Sequence, residues 1–172
     1  TFGIQVFDNN DQSSNVEVVQ VTVVAVNDQT PVFNTSDIPA DELAFLEDSD
    51  SSANLGAIRL LDADSGDLEI EWVKFTLSTM VNPEEKLKAM AAASVETINT
   101  TWSSVTGVLS MVGPAVVSDF NKVIKSISYE NTAEEPTDLV RTIVLTAFDG
   151  NQTGTASVDI VVEVVNDPPV IA

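Results

Sequence analysis

The side chains able to do chemistry in this chain are nearly all oxygen donors. There are 27 Asp and Glu against 7 Lys and Arg, a formal net charge of −20, and neither His nor Cys. Without imidazole or thiol, the usual triads and nucleophile–base pairs are absent, and so are disulfides and soft-ligand metal sites. A carboxylate pair can hydrolyse a glycosidic bond, but no group of residues here marks a cleft for one. Carboxylates and amide carbonyls acting together suit a hard cation such as Ca²⁺, which takes about six to eight oxygens. Asp62-Ala63-Asp64 is a candidate, because alternation along an extended chain puts the two carboxylates on one side. The plain alternative is an acidic turn, since Asp and Gly populate turns in any case. The dense group Asp41, Glu42, Glu47, Asp48 and Asp50 reads first as a solvated loop. Such an acidic surface repels nucleic acid and anionic membranes.

Two stretches repeat. Val26-Asn27-Asp28 with Pro31-Val32 after it matches Val165-Asn166-Asp167 with Pro169-Val170, and each follows a β-branched run begun by Phe-Asp, at Phe7-Asp8 and Phe148-Asp149. Asp8 precedes Asp28 by 20 residues and Asp149 precedes Asp167 by 18. The reading is a tandem repeat cut out of phase. Residues 1–28 are the closing strand pair of one module, 29–167 a complete module, and 168–172 the start of another. Two strands alone bury no core, so the first segment needs a body to pack on.

The elements that must position these residues are mostly strands. Gln5–Phe7 and Val16–Val26 form a strand pair, the second apolar on both faces. Ala57–Leu61 leads into the Asp62 turn, and Ile70–Leu77 alternates as a sheet strand should. Asn82-Pro83-Glu84-Glu85 carries helix-start signals, predicting a helix over Lys86–Ala93. Thr97–Trp102 and Val108–Val112 make a hairpin around Gly107. Phe120, Val123, Ile124 and Ile127 have helical spacing after Ser118. Arg141–Phe148 and Ala156–Val165 close the module. On inward strand phases, Phe45, Leu60, Phe75, Leu77, Leu109, Ile127, Tyr129, Ile143, Leu145, Ile160 and Val162 are the expected core. The fold class is all-β, a Greek-key β-sandwich of the cadherin or immunoglobulin-like kind with one or two short helical insertions.

In order along the chain, the Val-Asn-Asp linkers, Glu47, Asp62-Ala63-Asp64, Thr106-Gly107-Val108-Leu109 and Ala147-Phe148-Asp149-Gly150 resemble the landmarks of a cadherin-type repeat. The second half, from Ser118-Asp119-Phe120 through Ile127-Ser128-Tyr129-Glu130-Asn131-Thr132 to Arg141-Thr142-Ile143, is similar to the longer cadherin-like repeats of chondroitin-sulfate-proteoglycan and Fraser-syndrome-type matrix proteins. The resemblance implies calcium at the linkers. Asn27, Asp28, Asp62, Asp64 and Asp149 would serve the first, and Glu47, Asn166 and Asp167 the second. Two departures weaken the second set. Val116-Val117-Ser118-Asp119 replaces an acidic motif of the classical repeats, and Leu68 stands where many have Asn.

The expected function is therefore non-catalytic: an extracellular or cell-surface adhesion and spacer module in a calcium-stiffened stalk. Its partners would be neighbouring repeats of the same chain, with homophilic or heterophilic contacts to other surface proteins. There would be no nucleic acid and no membrane insertion in this segment. The alternative is a matrix or ligand-binding repeat that needs no calcium. Asn34, Asn99 and Asn151 each open a glycosylation sequon.

Overall fold

A computed structural model describes residues 2–23, 26–39, 43–47, 52–64, 69–90 and 95–165. The protein is an all-β sandwich with a single short helix among these residues. One layer is a six-stranded sheet. It is built from β4 (Ala44–Leu46), β7 (Glu69–Leu77), β9 (Asn99–Ser103), β10 (Val108–Val116), β12 (Arg141–Phe148) and β13 (Thr153–Glu163), in the order β4-β13-β12-β7-β10-β9. All its pairings are antiparallel except β4 with β13. The facing elements are a three-stranded sheet of β5 (Ala53–Asn54), β11 (Ile127–Asn131) and β8 (Glu85–Ala89), and a pair of β3 (Val32–Asn34) with β6 (Arg59–Leu61). The chain crosses between layers at β3–β4, β4–β5, β6–β7, β7–β8, β8–β9, β10–β11 and β11–β12.

Burial follows the pleat. Along β12, Arg141, Ile143, Leu145 and Ala147 are buried while the residues between them are half-buried. All the core residues expected from the strand phases are buried. Phe33 meets Phe75 edge-on at 6.4 Å and Phe45 meets Tyr129 at 5.5 Å, locking β3 and β4 to their facing strands. Arg141 shares the inward phase because it has a partner. Its Nε donates to both carboxylate oxygens of Glu85 at 3.0 and 3.1 Å, and its Nη atoms donate to the Leu139 and Thr137 carbonyls. Both side chains of the pair are fully buried, and only this complete set of bonds makes that tolerable.

The same pair overturns the helix expected over Lys86–Ala93. Residues 85–89 are β8, and 91–94 lie outside the described residues. Glu85 and Leu87 are buried on alternate positions, a strand period that lets Glu85 reach Arg141. Asn82 caps a turn instead, accepting from the Glu84 N–H at 3.0 Å. The second expected helix forms as α1 (Val117–Ile124), burying Phe120, Val123 and Ile124, while Ile127 belongs to β11. Trp72 lies half-buried on the outer sheet face, stacked on Phe148 at 5.6 Å with the Lys74 ammonium over its ring.

At the N-terminus, β1 (Phe2–Ile4) pairs with β2 (Glu17–Val19), and this hairpin joins no other sheet among the described residues. Among the described residues, the strand expected over Val16–Val26 is regular only at residues 17–19, and every described residue from Gly3 to Val23 is exposed. Its apolar faces have no further strand among the described residues to extend against, and a two-stranded ribbon alone is marginal in water.

Candidate metal centre

Three short segments meet at one end of the sandwich. The first follows β6, where the chain runs from Leu61 into Asp62-Ala63-Asp64. On one side β6 pairs with β3. From α1, Asn121 acts as a further strand partner: its Oδ1 accepts from the Leu60 N–H and its Nδ2 donates to the Leu60 carbonyl, each at 2.9 Å. The acidic turn is thus anchored two residues from its first carboxylate.

The second segment is the turn after β12. Asp149 Oδ1 accepts from the Asn151 and Gln152 N–H groups at 2.7 and 2.6 Å. Gly150 takes φ of +92°, a conformation that side chains disfavour. This tight turn fixes the other oxygen, Asp149 Oδ2, which is buried and meets no hydrogen-bond donor among the described residues.

The third segment, residues 27–30, lies across both. The Asn27 side chain donates to the Asp149 carbonyl at 2.9 Å, and the Asn151 side chain donates to the Asn27 carbonyl at 2.9 Å. The N–H groups of Asp28 and Gln29 donate to the Asp64 carboxylate at 3.2 Å, and the Thr30 hydroxyl bonds Gln152 Oε1 at 2.5 Å. At Gly154 any side chain would collide with the Pro31 carbonyl, so glycine is what lets the chain settle against β13.

One carboxylate oxygen from each of Asp62, Asp64 and Asp149 falls within 4.8 Å of the others. Asn27 Oδ1 is a second buried oxygen without a donor among the described residues. Burial, with the nearby charges of Asp64 and Asp149, raises the Asp62 carboxyl above its ordinary 3.8, against a backbone hydrogen bond from Asp64 that lowers it. These three carboxylates could hold a metal ion, and oxygens of this kind suit a hard cation. Asp28 meets this cluster through its N–H; its carboxylate accepts from the Gln29 side chain at 2.9 Å and is not one of the three.

Glu47 is 5 % exposed. Its Oε2 accepts from the Val165 N–H at 2.7 Å, its own N–H donates to the Glu163 carbonyl at 3.0 Å, and Oε1 is buried without a donor among the described residues. Glu47 stands at the far end of β13 from Asp149, roughly 35 Å away at the usual strand rise. Asn166 and Asp167 lie outside the described residues.

Of the sequon residues, Asn99 is exposed and its side chain has no bond among the described residues. Asn34 is tied up with Ser36 and Asp37, and Asn151 with Asn27. Sequence reasoning missed Asn121, Gln29, Asn151 and Gln152 as residues that hold the site. Asn151-Gln152 directly after Asp149-Gly150 was a readable Asx-turn signal; nothing local marks Asn121. In comparison with known proteins, no family model and no curated protein matches the chain.

Proposed function

We propose that this chain is a non-catalytic spacer and adhesion module of an extracellular or cell-surface protein, stiffened by calcium at the junction formed by Asn27, Asp62, Asp64 and Asp149. The single observation that carries this reading is the convergence of the Asp62, Asp64 and Asp149 carboxylates within 4.8 Å of one another, with Asp149 Oδ2 buried and without a donor among the described residues. The ligands come from segments far apart in sequence, so an ion there ties residues 27–30 to the sandwich. Oxygen-only ligands favour Ca²⁺ over softer metals, and calcium sites in extracellular modules are often weak, with dissociation constants of about 10⁻⁴–10⁻³ M. Neighbouring repeats of the same chain are the first partners of such a module, and homophilic or heterophilic surface contacts the next.

A second reading has its own support. Residues 27–30 are already held by direct hydrogen bonds that need no ion, as a calcium-independent matrix or ligand-binding repeat would require. Hydrogen exchange separates the two. The calcium reading expects amides 27–30 to exchange several-fold more slowly at millimolar calcium than in chelator, while β7 and β12 are unchanged. Equal exchange in both conditions favours the second reading.

A further inference from the structure

The N-terminal hairpin is a second copy of β12–β13 in register as well as in sequence. Phe2, Gly3 and Ile4 pair with Val19, Val18 and Glu17. Ile143, Val144 and Leu145 pair with Val158, Ser157 and Ala156. With Phe7 set on Phe148 and Val26-Asn27-Asp28 on Val165-Asn166-Asp167, the first three pairs fall on the second three, and the extra residues of the N-terminal copy fall in its turn. The turns also agree: Asp8 Oδ1 accepts from the Asn10 and Gln12 N–H groups at 2.8 and 2.9 Å, as Asp149 Oδ1 does from Asn151 and Gln152.

This equivalence sorts the hairpin into two faces. Ile4, Val6, Val19, Val21 and Val23 stand where Leu145, Ala147, Val158, Ile160 and Val162 stand. The second set is the buried centre of the six-stranded sheet, none more than 8 % exposed, whereas the first set is 37–90 % exposed. The positions between them are mixed: Gly3, Gln5, Gln20 and Thr22 are small or polar, whereas Phe7, Val16 and Val18 are apolar and exposed. An exposed apolar row of this length, with Glu17 on it at the place of Ala156, is a surface awaiting cover, and the register states the shape of that cover.

We infer that this face docks into a β-sandwich of the present architecture that lacks its own last two strands, the hairpin entering between strands equivalent to β4 and β7. The occupant is a sandwich body presenting two open strand edges and an uncovered core. The inference rests on the tandem-repeat reading and is independent of calcium.

The test is a fusion chain in which residues 29–142 are followed directly by residues 2–172. Phe2 then takes the place of Ile143, Arg141 remains to pair with Glu85, and the hairpin replaces β12–β13 of the first sandwich. A second fusion, residues 29–167 followed by 29–172, shows whether two intact sandwiches fold in tandem. Hydrogen exchange is read in chelator. The amides of Ile4, Val6, Val19 and Val21 should slow at least about 100-fold in the first fusion relative to the 172-residue chain. Val21→Asp should abolish that protection and the melting transition of the first sandwich, yet leave the melting temperature of the 172-residue chain unchanged. Three results would overturn the inference. The hairpin could exchange in the first fusion as fast as in the parent. The first sandwich could stay unfolded while the second fusion folds. The parent could sediment as a dimer with these amides already protected, making a second copy the occupant. None of these bears on calcium binding at Asp62, Asp64 and Asp149, which calorimetry reads separately.

Discussion

Asp62 carries the electrostatic strain of the site. Its folded-state pKa is raised by burial first and then by Asp64 and Asp149. Just above 3.8 the folded state therefore binds protons more readily than the unfolded one, so the ion-free protein loses stability as pH rises through that window. Asp62→Asn should then stabilise the ion-free protein at neutral pH, by less than about 1 kcal/mol because the group is partly solvated, and so raise its melting temperature. It should also reduce the gain in melting temperature on adding calcium. Paired melts in chelator and in millimolar calcium check both signs. At Tyr129 the prediction runs to high pH. Tyr129 is the only tyrosine. Burial, then the charge of Glu85, pushes its hydroxyl up to about 12. The unfolded chain ionises it near its ordinary value of about 10, so the stability it contributes is whole below 10 and lost as pH rises towards 12. Tyrosinate absorbance should stay low at about pH 11 while the fold persists, and then rise together with unfolding. A titration centred near 10 with native circular dichroism would contradict the packing of Tyr129 against Phe45.

The strands were legible because their cores alternate: Ile143-Val144-Leu145 and Phe75-Thr76-Leu77 can bury one face only as strands. The helix over Lys86–Ala93 was misread because Asn82-Pro83-Glu84-Glu85 satisfies local rules for a helix start, while the decisive partner, Arg141, is 56 positions away. Val16–Val26 reads as a strand apolar on both faces from its alternation, and covering those faces depends on a body that the described residues do not include. Of the site, Asp62, Asp64 and Asp149 were readable through the cadherin-like landmarks; the support from α1 was not, because Asn121 acts across 61 positions. That support is testable at the level of the element. Asn121→Leu removes both bonds to the Leu60 backbone and leaves its N–H and carbonyl unpaired, a loss of about 1–3 kcal/mol. If α1 positions the acidic turn, calcium affinity should fall several-fold although no ligand has changed. Unaltered affinity with lowered stability would limit α1 to a packing role.

Taken whole, the molecule is a sandwich with a docking point at each end of β13: the Asp149 turn that receives residues 27–30, and Glu47 that receives the backbone at Val165. On the proposed reading, such a module would transmit force and shape along a chain of like modules, since repeat modules contact mainly their neighbours. The central claim is that a cation completes the first of these ends. Isothermal calorimetry of the 172-residue chain titrated with calcium tests it most directly. The account predicts a saturable site with a dissociation constant of about 10⁻⁴–10⁻³ M, weakened at least about tenfold in Asp62→Asn with Asp64→Asn while the circular dichroism spectrum stays native. No saturable heat at millimolar calcium, or an unchanged isotherm in the double variant, would contradict it.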